Sequence, residues 1–303
     1  MSLTQCIEGV LPVLQLPLNA DDAIDFPTLA REIDFAFAAG ANGVTIAMVT
    51  EILRLTDAER DELAENTVAF TAGRGPVIMS VGAESHAQAR RHAQAAERAG
   101  ANALMAIPPC LTLCSADKLE DYYLYLLQAS SLPLIVQDAS NYVGNAIPLA
   151  TQARIYSAAP DRVMFKPEAQ PLAQNLSLLR DATGGTARIF EGSGGLALVD
   201  TFYRGIVGTM PGTDVPWAIV ALWRALRNGE RVQAGAIHAR LVALVALMHS
   251  LDGYLAIEKF LLREQGIFVN ERRREPVGYE LDEETREDVL RLFAALQEVC
   301  MTA

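Results

Sequence analysis

Short apolar runs alternate with longer amphipathic stretches over residues 9 to about 228. Such alternation is typical of repeated βα units around a parallel sheet. Most of the runs are almost continuously apolar, as expected for strands that are buried on both faces. We therefore predict eight strands, at residues 10–16, 43–48, 77–82, 103–107, 134–138, 163–166, 187–191 and 206–209.

The stretches between these runs carry helix signals, most clearly at residues 22–39, 56–72, 85–99 and 115–129. Thr56, Ser85 and Ser115 are predicted N-caps, and Gly40 and Gly100 stand where helices are expected to end. Beyond residue 228 the apolar period stays helical, which predicts about three further helices and no further strand.

The fold class that follows is α/β, a (β/α)8 TIM barrel with a C-terminal three-helix extension. An open doubly wound sheet uses the same alternation, but eight units followed by a helical tail favour the closed barrel. We predict a barrel domain at residues 1–228. The helical extension, at residues 229–303, is expected to pack on the barrel or on a neighbouring subunit.

Composition narrows the class of partner. Of the 303 residues, 51% are hydrophobic, and the net charge of -12 repels polyanions. The densest basic run, Arg272 to Arg274, is flanked by Glu271 and Glu275, and no run of 18 or more apolar residues occurs. We expect a soluble, cytoplasmic protein that binds neither nucleic acid nor membrane.

Cysteine and histidine do not form a recognisable metal motif. The cysteines are Cys6, Cys110, Cys114 and Cys300, and only the middle two are close in sequence. No histidine or second cysteine pair lies near them. We therefore expect structural thiols, with neither a metal site nor a disulfide scaffold.

Only three of the basic residues are lysines, against 22 arginines. Lys118 and Lys259 fall on predicted helices beside acidic residues, which indicates solvated or paired surface charges. Lys166 instead ends an apolar strand and precedes Pro167, at the rim where barrel enzymes place catalytic groups. Apolar surroundings favour the neutral amine, the form that attacks a carbonyl. A strand-end ion pair with Glu168 is the alternative.

The segment around this lysine, residues 163–169 (VMFKPEA), resembles the Schiff-base strand of the dihydrodipicolinate synthase and N-acetylneuraminate lyase superfamily. Residues 11–18, 43–51, 77–85 and 132–138 resemble the first, second, third and fifth strands of these enzymes. The resemblance spans nearly the whole chain, including the helical tail. It implies a lysine-dependent barrel that is usually a homotetramer, acts on a small 2-keto acid and needs no metal or organic cofactor.

Several positions depart from the synthase pattern. The resemblance places a threonine and two tyrosines of a proton relay at Met48, Leu111 and Gln137, and none of these can pass a proton as a hydroxyl does. The substrate-anchoring arginine of the synthase aligns with Tyr142. We therefore do not expect dihydrodipicolinate synthesis.

The sequence after the fifth and sixth strands resembles the sugar-acid dehydratase branch instead. There Gln137 could hydrogen-bond a substrate carboxylate or hydroxyl and Asp138 could orient it, unless both satisfy strand-end backbone groups. Glu168 lies two residues past Lys166 and should point to the same side. It is the candidate acid/base, with an ion pair as the alternative.

The remaining candidates are substrate-binding residues. Thr50 aligns with the turn that binds the keto acid's carboxylate in this family. The glycine-rich stretch that includes Gly192 and Ser193 suits a small or anionic group, or is only a tight turn. Thr209 is expected to face the rest of the substrate.

The function implied is a Schiff-base lyase in which Lys166 condenses with a 2-keto acid. Loss of a C3 proton and then hydroxide gives a dehydratase, and cleavage between C3 and C4 gives an aldolase. Dehydration is favoured, because the missing relay tyrosine usually takes the C4 hydroxyl proton in aldol cleavage. The alternative is a member that binds a keto acid without turnover.

Overall fold

The computed structural model describes residues 7–301, which contain eight strands, all paired in parallel. Cys6 lies outside the described residues. The strands are β1 (Gly9–Val10), β2 (Val44–Ile46), β3 (Val77–Ser80), β4 (Ala103–Ala106), β5 (Leu134–Asp138), β6 (Val163–Pro167), β7 (Arg188–Glu191) and β8 (Gly208–Thr209).

Helices alternate with these strands. They are α1 (Phe26–Ala38), α2 (Asp57–Thr71), α3 (His86–Ala99), α4 (Ala116–Ala129), α5 (Leu149–Ala158), α6 (Leu172–Ala182), α7 (Leu198–Tyr203) and α8 (Pro216–Asn228). Three more helices follow, α9 (Arg231–Val245), α10 (Leu251–Glu264) and α11 (Glu283–Met301). No helix within residues 7–301 is long and apolar enough to cross a membrane.

The predicted helix signals agree with the structure. Thr56, Ser85 and Ser115 each accept a hydrogen bond from a backbone N–H in the first turn of α2, α3 and α4. Gly100 ends α3 with a left-handed φ of 93°, which glycine adopts at little cost. The predictions of these caps are therefore confirmed.

The strand order is β1-β8-β7-β6-β5-β4-β3-β2. Val13, just after β1, forms parallel bridges with both Thr45 of β2 and Gly212 after β8. Thr45 N–H also donates to Pro12 O at 2.8 Å, so hydrogen bonds connect the two ends of this order. The curled parallel sheet with alternating helices fits a (β/α)8 barrel.

The first two strands are shorter than predicted. Of the segment predicted at 10–16, only Val10 lies within β1, which begins one residue earlier at Gly9. Pro12 has no N–H to donate to a longer ladder. The prediction for 43–48 extends beyond β2, since Met48–Thr50 form a single 3-10 turn after the strand. Both changes bring backbone from the strand ends into the mouth of the sheet.

Two apolar clusters lie on opposite sides of the strands. One fills the space between the sheet and the helices, and the other fills the interior of the curled sheet. In β6, Phe165 belongs to the outer cluster and Met164 to the inner one. Since side chains alternate along a strand, Lys166 points to the interior, as Met164 does.

The prediction that Lys259 is a surface charge is wrong, whereas the same prediction for Lys118 is confirmed. Lys118 is exposed and pairs with Asp121 at 2.8 Å. Lys259 is fully buried on α10, where its Nζ forms an ion pair with Glu51 and donates to Arg272 O at 2.7 Å. The apolar residues around it on α10 bury it, and the carboxylate that compensates its charge comes from a distant turn.

We expect Lys259→Met to lower the free energy of unfolding by about 3–5 kcal/mol, because the buried Glu51 carboxylate loses its ion pair with Lys259 and keeps only the longer one with Arg54, at 3.5 Å. Urea denaturation followed by circular dichroism measures this loss. Lys118→Met, which removes an exposed ion pair, is the matched control and should change stability little. Equal losses in the two variants would contradict a structural role for the buried pair.

Candidate active site

Lys166 lies near the carboxyl end of β6 and is 4% exposed. The neighbouring strand β5 places Gln137 directly beside it in the sheet register. Both side chains follow interior positions, Met164 and Ile135, by two residues, so both point into the curled sheet. The strand alternation therefore brings an amine and an amide together at one end of the sheet.

Glu168 completes this group. Lys166 Nζ lies 3.4 Å from Glu168 Oε1, and Gln137 Nε2 donates to Glu168 Oε2 at 2.6 Å. Burial raises the pKa of Glu168 above its ordinary value of 4.5, although the Lys166 ammonium and the Gln137 amide act in the opposite direction. This carboxyl group can therefore exchange a proton at a higher pH than an exposed glutamate does.

A cavity opens above these three residues. From the sheet side it is lined by Gln137, Lys166, Glu168 and Gly192, and from α10 by Tyr254 and Glu258. Among the residues described, Lys166 is the only cation in the lining. The polar groups of the lining lie at two separate walls.

Gly192 contributes space to this cavity. A Cβ at this position would lie 2.6 Å from Lys166 Cε and 2.8 Å from Glu168 Cγ, closer than carbon atoms can approach. Because Gly192 has no side chain, those of Lys166 and Glu168 can pack directly against its backbone.

Four other candidate residues lie behind the cavity wall. Thr50 Oγ1 donates to Leu14 O at 2.6 Å, and Asp138 accepts from the backbone N–H of Ile147 at 2.8 Å. Ser193 Oγ donates to a Glu191 oxygen, and Thr209 Oγ1 donates to Glu191 Oε2 at 2.5 Å. These side chains fix the turns after the strands, and the cavity lining does not include them. Direct substrate binding by them stays a prediction.

Three polar residues of the lining were not among the sequence candidates. Tyr254 and Glu258 are four residues apart and therefore share a face of α10. Two polar residues at this spacing on an apolar helix were the sequence signal that could have identified them. Tyr142 also lines the cavity, with its ring edge-on to Tyr254 at 5.8 Å between centroids. Burial raises the pKa of Tyr142 to about 12 and that of Tyr254 further, so both phenols stay protonated hydrogen-bond donors at neutral pH.

The three positions that the resemblance assigns to a proton relay do not all lie at the cavity. Met48 lines the cavity, as does Gln137, whereas Leu111 is 86% exposed and lies outside the lining. Gln137 Oε1 is buried and accepts no hydrogen bond from the described protein groups. An acceptor in this state favours a ligand that brings a donor, such as a hydroxyl group.

The fold agrees with what comparison with known proteins shows. Residues 6–296 match the Dihydrodipicolinate synthetase family, and the chain belongs to this family. The resemblance seen in the strand motifs is thereby confirmed.

The names of individual relatives cover three activities, those of a dehydratase, an aldolase and a synthase. The chain is 28% identical to "L-2-keto-3-deoxyarabonate dehydratase" of Azospirillum brasilense, over 95% of this chain and 94% of that one. It is 24% identical to "Probable 2-dehydro-3-deoxy-D-pentonate aldolase YjhH" of Escherichia coli strain K12, over 95% of this chain and 96% of that one. A solved dihydrodipicolinate synthase from Rhodopseudomonas palustris superposes with a TM-score of 0.88 at 25% identity, covering 97% of this chain and 99% of that one.

Proposed function

We propose that this chain is a lysine-dependent lyase that dehydrates a 2-keto-3-deoxy sugar acid in a closed (β/α)8 barrel. The observation that carries the proposal is the buried Lys166 amine at 3.4 Å from Glu168, with Gln137 holding the carboxyl group from the other side. A keto-deoxy sugar acid is also the substrate class in the names of both the dehydratase and the aldolase relatives.

In the first step, Glu168 takes a proton from the Lys166 ammonium and frees the amine. The amine attacks C2 of the keto acid, and one of its two remaining N–H protons moves to the C2 oxygen. That oxygen leaves as water after Glu168 returns the proton that it took. The product is an iminium ion joined to Lys166. A carboxyl group with a raised pKa suits this exchange, because it accepts and returns the proton at a higher pH than an exposed glutamate does.

In the second step, the Glu168 carboxylate removes a proton from C3, and the C3–H electrons form an enamine. The enamine then expels the C4 hydroxyl, which takes the proton from Glu168 and leaves as water. The free Oε1 of Gln137 is available to accept a hydrogen bond from a substrate hydroxyl. Hydrolysis of the resulting unsaturated iminium ion frees Lys166.

Cleavage between C3 and C4 is the second candidate, and similarity to the pentonate aldolase supports it. Here a base takes the C4 hydroxyl proton, the C3–C4 electrons move into the iminium ion, and an aldehyde leaves. Gln137 at the relay position cannot act as this base, which favours dehydration. A protein that binds a keto acid without turnover is the third candidate, and an experiment must distinguish it from the two enzymes.

Borohydride trapping followed by a turnover assay tests the proposal. Pyruvate and several 2-keto-3-deoxy sugar acids are each incubated with the protein and borohydride, and peptide mass spectrometry locates any attachment. We expect attachment at Lys166 and release of a dehydrated product. Release of pyruvate would favour the aldolase, attachment without product the binding protein, and no attachment with any acid would refute the proposal. The homotetramer and the cytoplasmic location stay predictions, and sedimentation velocity tests the first.

We expect Gly192→Ala to slow attachment at Lys166 by about 100-fold, because displacement of a reacting group by about 1 Å has an effect of this order. The added methyl group would collide with Lys166 Cε and Glu168 Cγ. The rate of mass increase under borohydride measures the effect. Gly235→Ala is the matched control, since a Cβ at that helical glycine meets open space. An unchanged attachment rate in Gly192→Ala would contradict the role of this glycine.

A further inference from the structure

The helical extension supplies a second carboxyl group to the cavity. Glu258 lies on α10, is 2% exposed and lines the cavity together with Tyr254 of the same helix. Lys166 forms its ion pair with Glu168, whereas Glu258 accepts a hydrogen bond from the side chain of Gln15. The mechanism proposed above therefore leaves Glu258 unused.

Glu258 occupies the wall formed by the β1 and β8 ends of the sheet. Its carboxyl group packs against the backbone of Gly212, where an added Cβ would lie 2.3 Å from Glu258 Oε1. Gln15, its hydrogen-bond donor, follows β1, and Gly212 follows β8. Lys166 lies on β6 and Glu168 follows the end of this strand, so the two carboxyl groups belong to different walls of the cavity.

The surroundings of Glu258 are acidic. Burial raises the pKa of Glu258 well above its usual range. The Asp214 and Glu32 carboxyl groups add to this rise, whereas the hydrogen bond from Gln15 and the charge of Lys166 oppose it. Burial also raises the pKa of Asp214 to about 6 and that of Glu32 to about 8. A protonated Glu258 carboxyl can both donate and accept a hydrogen bond, which matches the hydrogen-bonding capacity of a hydroxyl group.

The charge of the lining limits what the far end of a substrate can be. Lys166 is the only cation among the described lining residues, and the reaction uses it at C2. A carboxylate or phosphate at the other end would be buried beside Glu258 without a compensating cation. Because such burial is costly, the cavity favours a neutral, hydroxylated end.

We propose that Glu258 is a specificity-determining residue, which hydrogen-bonds a neutral hydroxyl at the end of the substrate remote from the imine carbon. The inference rests on the proposed function and adds a residue of the helical extension to the active site. It also selects a subclass of substrate, the 2-keto-3-deoxy acids whose last carbon bears a hydroxyl and neither a carboxylate nor a phosphate.

The test compares substrates of matched length that end in CH2OH, carboxylate or phosphate, with pyruvate as the probe that lacks this end. Wild type is measured beside Glu258→Met, which removes the hydrogen bonds, and Glu258→Gln, which retains a donor and an acceptor. Asp25→Asn is the matched control, because Asp25 is a buried acid that accepts from Thr28 N–H at 3.1 Å and lies outside the cavity lining.

We expect wild type to prefer the CH2OH substrate. Glu258→Met should lower kcat/KM for it by about 10- to 100-fold, the range for losing one or two hydrogen bonds to a substrate. Attachment of pyruvate should persist, while Glu258→Gln should restore most of the activity and Asp25→Asn should behave as wild type.

The opposite results overturn the inference. They are a wild-type preference for the carboxylate or phosphate, an unchanged kcat/KM in Glu258→Met, or equal losses with pyruvate and the hydroxylated acid. If Glu258→Met does not fold, the wild-type ranking and the Glu258→Gln kinetics decide. Failure of wild type to attach any 2-keto acid refutes the proposed function itself, and the inference with it.

Discussion

Lys166→Arg is expected to abolish attachment of every 2-keto acid and to lower turnover by at least about 1,000-fold, equivalent to about 4 kcal/mol of transition-state stabilisation. Arginine keeps the positive charge beside Glu168, but its guanidinium stays protonated and cannot supply a nucleophilic amine. Borohydride trapping with mass spectrometry measures the first effect, and single-turnover kinetics the second.

The other lysines make this experiment specific. Lys118→Arg alters an exposed amine on α4 and should leave attachment and turnover unchanged. Circular dichroism of Lys166→Arg should match wild type, since the long cationic side chain and its acidic partner are retained. Attachment that persists in Lys166→Arg would assign the reactive amine to another residue and overturn the proposed function.

The parts of the fold that could be predicted are those that depend on local sequence, such as strand periodicity and helix caps. The predicted strand at 134–138 coincides with β5, and the predicted caps of α2, α3 and α4 are confirmed, because both depend on local sequence. The ends of β1 and β2 depend on partners distant in the chain, such as the Val13 bridges, and were predicted less well.

The same periodicity separates the candidate residues that line the cavity from those that do not. Lys166, Gln137 and Gly192 occupy interior positions of β6, β5 and the end of β7. Asp138 comes directly after the interior residue Gln137, and Thr209 comes directly before the interior residue Met210. Because side chains alternate along a strand, both point away from the cavity. Counting residues from the interior positions could have made this distinction before the structure was known.

Other features depend on tertiary packing that a sequence pattern does not contain. Tyr254 and Glu258 reach the cavity only because α10 lies across the mouth of the sheet. On the same helix, Lys259 is turned toward Glu51, more than 200 residues away in the chain. Adjacent residues on one helix thus serve a cavity and a buried ion pair, and local charge patterns cannot distinguish the two.

Glu168→Gln is expected to lower turnover of the sugar acid by about 100- to 10,000-fold, the usual contribution of a general acid or base. Glutamine cannot take the C3 proton or return it to the leaving hydroxyl. The amine of Lys166 remains, so attachment of pyruvate should be slower but should go to completion. The two readouts are kcat and the final extent of borohydride trapping.

The pH dependence provides an independent check of this assignment. Proton removal from C3 needs the Glu168 carboxylate, and burial raises the pKa of this group above 4.5. Activity should therefore fall as the pH drops through that raised pKa, which places the acidic limb of the kcat/KM profile above pH 4.5. The limb should be absent from the residual activity of Glu168→Gln. A limb that persists unchanged would assign it to another group and leave Glu168 only the ion pair with Lys166.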